Sequence, residues 1–204
     1  MRKQNMDTAQ TKADLVEAFW QIYQTKPINK ITVKDVTDAA GYYRSTLYYY
    51  FEDVYAILDY IEDTLLEEWE ATIANGLVYG HEFLLHGNLS ELLPLIKPFY
   101  TKNATYIAFL LGPSGDPQFM QKIKDTARTK LFSVLDIPET TVEAVLIFEC
   151  CSSAMLHSFS KWYLENIPFE TILTTVEKII NPTLFHTMIS YSNNPNIRTF
   201  GNTL

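Results

Sequence analysis

Between Tyr43 and Tyr50 the chain gathers one guanidinium, two aliphatic hydroxyls and four phenols within eight residues. An arginine can bridge the O6 and N7 acceptors of a guanine edge, worth about 1–3 kcal/mol of discrimination. Hydroxyls and phenols donate to phosphate oxygens, and a phenol ring packs on the methyl group of thymine. The set suits recognition of a polyanionic duplex better than turnover of a substrate. Catalytic patterns are missing. His81 and His86 lie five apart, His157 and His186 are isolated, and none has the spacing of a zinc-binding helix. Cys150 and His157 share a helix face but are separated by about 10 Å of axial rise, and Cys150 reads as a buried small hydrophobe. No glycine-flanked serine nucleophile of the Gly-x-Ser-x-Gly kind occurs. The sequence therefore predicts no catalysis, no metal and no cofactor.

The residues before and within this cluster predict what holds it. Thr32 is a good N-cap, with Asp35 three residues on to complete a capping pair. Val33, Val36, Ala39 and Ala40 recur at helical spacing and predict a buried face. Gly41 stands where a left-handed residue ends a helix at least cost. A second helix then begins after two more residues, with Leu47 and Phe51 as its buried pair. Arg44, Ser45, Tyr48 and Tyr49 are left pointing outward, with Thr46 and Tyr50 at the edges. Two short helices at an angle, the second carrying such a face, form a helix-turn-helix of the kind that enters a DNA major groove.

The order Thr-Val, Ala-Ala-Gly, Arg-Ser-Thr-Leu-Tyr and Tyr-Phe over 32–51 closely resembles the DNA-binding signature of the TetR family of transcriptional regulators. The resemblance implies that Arg44 and Ser45 touch base edges and that Tyr48 meets a thymine methyl or a phosphate. It also implies that Thr46, Tyr49 and Tyr50 hold phosphates, with Lys34 adding a charge from the preceding helix. For Tyr50, packing against the first helix is the competing reading. Two positions depart from the family pattern. Tyr43 replaces a small N-cap residue and removes a capping oxygen worth about 1 kcal/mol, unless its phenol meets the DNA backbone. Val54 replaces a lysine at the start of the fourth helix, behind Glu52 and Asp53. The phrase GPSGDPQF at 112–119 resembles, over few residues, the C-terminal domains of some TetR-type regulators of Gram-positive bacteria.

The formal charge of −8 divides unevenly. Residues 1–57 carry seven basic and seven acidic side chains, so the whole excess falls in 58–204. An acidic remainder argues against general nucleic-acid coating and for a body with another task. Met1 to Lys12 lacks the apolar core of a signal peptide, and no uncharged apolar run reaches the roughly twenty residues of a bilayer span. The adjacent Cys150 and Cys151 give no disulfide framework. These features predict a cytoplasmic protein with no membrane segment.

Helical periodicity extends over almost the whole chain, and strand-like alternation is missing. The predicted fold is all-α: a three-helix DNA-binding domain over 1–53 and a larger helical domain for effector binding and dimerisation over 54–204. The first helix is expected from Thr8 to Thr25, and the fourth from Asp53 toward Ala74. Gly76 to Gly87 reads as a linker. A helix from Leu89 to Tyr100 is interrupted or bent near Pro94 and Pro98, and Asp116 and Pro117 cap a later one. Two long helices, Thr140 to Glu165 and Phe169 to Ile189, close the chain. The first of these is apolar over most of its circumference, which one partner layer cannot cover.

The resemblance implies that these last two helices pair with their copies in a homodimer. That sets two recognition helices about 34 Å apart and predicts a palindromic operator in double-stranded DNA. It further implies a small-molecule effector, with repression relieved on its binding. Phe109, Met155, Phe159 and Trp162 are the candidate lining, and ordinary core packing is the competing reading for each. Such a lining suits an apolar or aromatic ligand. A function of another class, a TetR-fold interaction protein or coactivator working through protein contacts, gains weight from Val54 and the uncharged head.

Overall fold

A computed structural model of the protein describes residues 8–79, 89–165, 167–168, 171–172, 174–175, 178 and 182–201. Ten α-helices and no strand occur among them. They are α1 Thr8–Tyr23, α2 Val33–Ala40, α3 Arg44–Tyr50, α4 Val54–Tyr79 and α5 Leu89–Lys102. There follow α6 Ala104–Leu110, α7 Phe119–Leu135, α8 Val142–Glu165, α9 Pro182–Ile189 and α10 Pro195–Gly201. The chain divides into two compact units, Met1–Leu65 and Leu66–Leu204, with the division falling inside α4.

In the first unit α1 packs on α2 and α2 on α3. Leu15, Phe19, Trp20 and Tyr23 of α1 are buried with Val36, Leu47, Phe51, Ile57 and Ile61. Phe19 and Tyr23 stack with ring centroids 5.5 Å apart. Lys12 lays its ammonium over the Tyr60 ring, 3.5 Å from the centroid, and 5.4 Å from that of Phe51. Asp53 accepts from the amide of Ala56 at 2.9 Å, which caps α4 where the sequence predicts its start. The helix then runs five residues beyond the predicted Ala74, through Gly76, so part of the expected linker is helical. The remainder of that linker, 80–87, lies outside the described residues, as do His81 and His86.

The second unit is organised around α8, against which α6, α7 and α9 pack. Trp69, Phe99 and Tyr100 form a ring cluster with centroids 5.2–5.8 Å apart. The Trp69 indole donates to the carbonyl of Ile123 at 3.3 Å. Burial pushes the phenol of Tyr100 well above its ordinary value. Lys102 and Asn103 both donate to the Glu68 carboxylate, at 2.7 and 3.0 Å. Between α7 and α8, Lys124 meets Glu149 at 2.6 Å, while Arg128 reaches Asp125, Glu139 and Glu149. Asp136 closes α7 in the left-handed conformation, at φ 51°. Its carbonyl accepts from Asn193 at 2.8 Å, and the Ser192 hydroxyl donates to the carbonyl of Leu135. The end of α9 is thereby tied to the end of α7.

Several expectations need correction. Helix α5 continues through both Pro94 and Pro98 to Lys102. Helix α7 begins at Phe119, two residues after Pro117, because the Asp116 carboxylate accepts from Gln118 in a preceding turn. Of the predicted Phe169–Ile189 helix, Pro182–Ile189 is present as α9, and several residues before it lie outside the described set. A short α10, not expected from the sequence, follows. Cys150 is exposed, not buried. It continues the four-residue step of Val142 and Leu146, which are 70% and 59% exposed, whereas Ala144, Phe148 and Leu156 face inward. Its neighbour Cys151 is half-buried, and burial, then the adjacent Cys150, pushes that thiol upward.

The loop between α6 and α7 folds back so closely that Gly115 leaves no room for a side chain. A Cβ there would stand 2.2 Å from the carbonyl oxygen of Leu110. Gly115→Ala should therefore destabilise the second unit by about 1–3 kcal/mol through forced backbone displacement. Thermal melts of the two proteins check this; equal midpoints would mean the loop yields freely.

Candidate nucleic-acid interface

The interface begins with the start of α2. Thr32, in an extended conformation, accepts from the Asp35 amide at 3.2 Å, and the Asp35 carboxylate accepts from the Thr32 amide at 2.9 Å. Both halves of the predicted capping pair are present. Lys26 adds an ion pair to Asp35 at 2.8 Å, linking the preceding loop to the helix start. The Lys26 ammonium, then the Thr32 amide, holds the Asp35 carboxyl down at about 2.

The end of α2 fixes the next helix. Gly41 takes φ 78°, ψ 27°, and its amide and that of Tyr42 both donate to the Thr37 carbonyl, at 3.0 and 2.9 Å. The buried face is rotated from the expected one. Val36 and Thr37 are buried while Ala39 is exposed and Val33 and Ala40 are half-buried. Thr37 avoids an unsatisfied hydroxyl by donating to the Lys34 carbonyl at 3.3 Å. Tyr42, not singled out from the sequence, is 4% exposed and donates its phenol proton to Asp14 of α1 at 2.9 Å. It pins the turn to the first helix. The signal for it was weak, because an aromatic one residue past a glycine can face either way.

Helix α3 starts at Arg44 with Tyr43 as its N-cap, and no side-chain oxygen caps it, as the residue type predicts. Leu47 is fully buried and Phe51 nearly so. The opposite face is open. Arg44 and Ser45 are exposed, Thr46 is half-buried, and Tyr43, Tyr48 and Tyr49 are 55%, 59% and 74% exposed. Tyr50 is half-buried and meets the Tyr49 ring edge-on at 4.9 Å. Arg44 and Tyr48 are four residues apart and hence neighbours on one face, as are Ser45 and Tyr49. Lys34 is exposed on α2, which packs on α3. All eight candidate residues thus belong to one helix-turn-helix. Val54 is buried, so the departure from lysine places an apolar side chain in the core of this unit.

The candidate effector residues are less concentrated. Phe109 on α6 and Met155 on α8 are half-buried, and those two helices pack together. The side chains of Phe159 and Trp162 lie outside the described residues. No group of His, Cys, Asp and Glu among the described residues has the arrangement to hold a metal ion. No helix among them is long and apolar enough to cross a membrane.

No protein-family model matches the sequence, and no curated protein does. Among solved structures, a TetR-family transcriptional regulator from Streptomyces coelicolor superposes with a TM-score of 0.56 over 96% of this chain and 88% of its own. The two sequences are 14% identical, so the likeness is one of fold. The dihydroxyacetone kinase operon activator DhaS aligns over 83% of this chain and 93% of its own, at 17% identity and a TM-score of 0.43, too low to carry weight. The chain therefore has the all-α fold of a TetR-type regulator.

The Asp35 carboxylate gives the first unit a definite acid response. Its folded value lies below the ordinary 3.8, so its contribution is fully present above about pH 4 and is lost as pH falls through about 2. Wild-type protein should melt above Asp35→Asn at neutral pH, and the gap should close between about pH 4 and pH 2. Melts recorded across that range check it; a constant gap would mean the ionised carboxylate is not what stabilises.

Proposed function

We propose that this protein is a TetR-type, sequence-specific DNA-binding regulator that acts as a homodimer on a palindromic operator. The observation that carries the reading is α3. It begins in Arg44 and Ser45, rests on a buried Leu47, and turns an open face of Tyr48 and Tyr49 to solvent behind a glycine-closed turn. In this reading Arg44 bridges a guanine edge, Ser45 meets a neighbouring base, and Thr46, Tyr49, Tyr50 and Tyr43 hold the sugar–phosphate backbone, with Lys34 beside them. Residues 1–53 form the reading head and 54–204 the dimerisation and effector-binding body. Repression relieved by a small apolar or aromatic effector is the mode favoured by the TetR-type fold, with Phe109, Met155, Phe159 and Trp162 as its candidate lining. The setting is cytoplasmic.

The outward step of Val142 and Leu146 on α8 supports a self-associating helix, since two large aliphatics four residues apart on an open face are best covered by another chain. A second reading, an interaction protein that keeps the fold, is favoured by one observation. The compact unit Met1–Leu65 carries seven basic and ten acidic side chains, an unusual balance for a DNA-binding head.

Selection of bound duplexes from a random library separates the two. Wild-type protein should enrich a palindrome, and Arg44→Ala should lose or relax it at the guanine position by about 1–3 kcal/mol. Absence of any enriched sequence at low salt, where phosphate contacts are strongest, would favour the interaction protein. For self-association, Leu146→Glu should shift the sedimentation coefficient from dimer to monomer while leaving helix content unchanged. A variant that remains dimeric would place the two-fold interface elsewhere.

A further inference from the structure

Helix α3 has seven residues, and no side-chain oxygen caps its start. A helix so short holds no pose by itself, so its orientation is set by what grips its ends. Side chains of α1 reach both. In front of α3, the buried Tyr42 donates its phenol proton to Asp14 Oδ2 at 2.9 Å, while Gln10 donates to Asp14 Oδ1 at 2.7 Å. At the other end, the Lys12 ammonium stands 5.4 Å from the centroid of Phe51, the C-cap of α3, and 3.5 Å from that of Tyr60 on α4. At about 100° per residue, Asp14 and Lys12 lie on opposite flanks of the buried stripe of Thr11, Leu15 and Ala18. One flank of α1 therefore meets the turn before α3, and the other meets the end of α3 and α4.

The grips differ in kind. Leu47 and Phe51 bury apolar surface, an attraction with no preferred direction, so by itself it leaves α3 able to roll about its axis. The hydrogen bond from Tyr42 is directional, and its acceptor is a carboxylate, the stronger class of partner. Tyr42 stands two residues before Arg44, so a shift of the phenol is passed straight to Arg44 and Ser45. A bidentate fit of arginine to a guanine edge needs its geometry held within about 0.5 Å and 10–20°. Tyr42 is itself buried and has no surface to offer a duplex.

We propose that Tyr42 and Asp14 are positioning residues for DNA reading. Their hydrogen bond sets the roll of α3 at which Arg44 and Ser45 reach base edges, and its loss costs sequence preference while the head stays folded. This rests on the DNA-binding reading above, and goes beyond it by assigning specificity to a pair that the duplex does not touch.

Wild-type protein, Tyr42→Phe, Asp14→Ala, Asp14→Asn and the double variant Tyr42→Phe/Asp14→Ala are titrated onto the duplex selected by wild type and onto a scrambled duplex of equal length. The ratio of the two affinities is the readout, since phosphate contacts and the charge change at Asp14 act on both duplexes alike. Tyr42→Phe keeps the ring and removes only the donor, and should lower the ratio about fivefold, the weight of one hydrogen bond. Asp14→Ala should lower it equally, Asp14→Asn, which keeps an acceptor oxygen, should restore most of it, and the double variant should lose no more than either single one. Melts of each variant establish that it is folded at the titration temperature. Should Tyr42→Phe melt below it, the contrast between Asp14→Ala and Asp14→Asn carries the same test. An unchanged ratio in Tyr42→Phe, with or without a lowered melting point, would make the bond a purely structural contact and overturn the inference. Additive losses in the double variant would overturn it as well, and either result leaves the regulator reading standing. Failure of wild-type protein to select any duplex would overturn both.

Discussion

A single backbone carbonyl, that of Thr37, receives the amides of both Gly41 and Tyr42, and the exposed face of α3 follows from that arrangement. Two donors converge on one oxygen only if the chain reverses tightly, and the reversal needs a residue at φ 78°. Glycine supplies it without a Cβ penalty. Once the turn is closed, Tyr42 is aimed back at Asp14 on α1, Leu47 is driven into the core, and Arg44 and Tyr48 are left outside. The capping pair at Thr32 and the Lys26 contact fix the other end of α2, so the helix is held at both termini before α3 begins. Rigid support of this kind is what holds the exposed side chains of α3 in a fixed arrangement.

The head was largely legible in the sequence because its signals are local. A cap, a glycine and a pair of apolar residues four apart act over a few residues each, and the structure realises them at Thr32, Gly41, Leu47 and Phe51. Their neighbours were harder to read. Whether Thr37 or Ala39 turns inward depends on how α2 rolls against α1, a tertiary choice that helical spacing leaves open within about one residue. The same holds for Tyr42, whose burial is decided by an aspartate 28 positions earlier. Arg44, Ser45, Tyr48 and Tyr49 could be assigned to the outward face by exclusion, once Leu47 and Phe51 were assigned inward.

The body was legible as helices and much less so as surfaces. Helix α8 is apolar around most of its circumference, so periodicity could not say which stripe faces the core; the packing of α6, α7 and α9 settles it, and Cys150 emerges on the outer stripe. Prolines 94 and 98 suggested an interruption or a bend, and α5 passes through both without interruption, because a helix with packed neighbours tolerates a missing amide that an isolated one does not. At Asp116 the carboxylate serves a turn ahead of the helix, so the cap signal was sound in chemistry and early by two residues.

The two compact units each hold a buried indole in unlike surroundings. Trp20 lies in the first, 3% exposed, with its ring edge toward Tyr23 at 6.1 Å. Trp69 lies in the second, walled by Phe99 and Tyr100 and donating its ring proton to a carbonyl. Indole emission moves with the polarity around the ring and is quenched according to what touches it. With Trp69 and the third indole, Trp162, replaced by phenylalanine, Trp20 would remain as a native optical label of the first unit alone, without any attached dye.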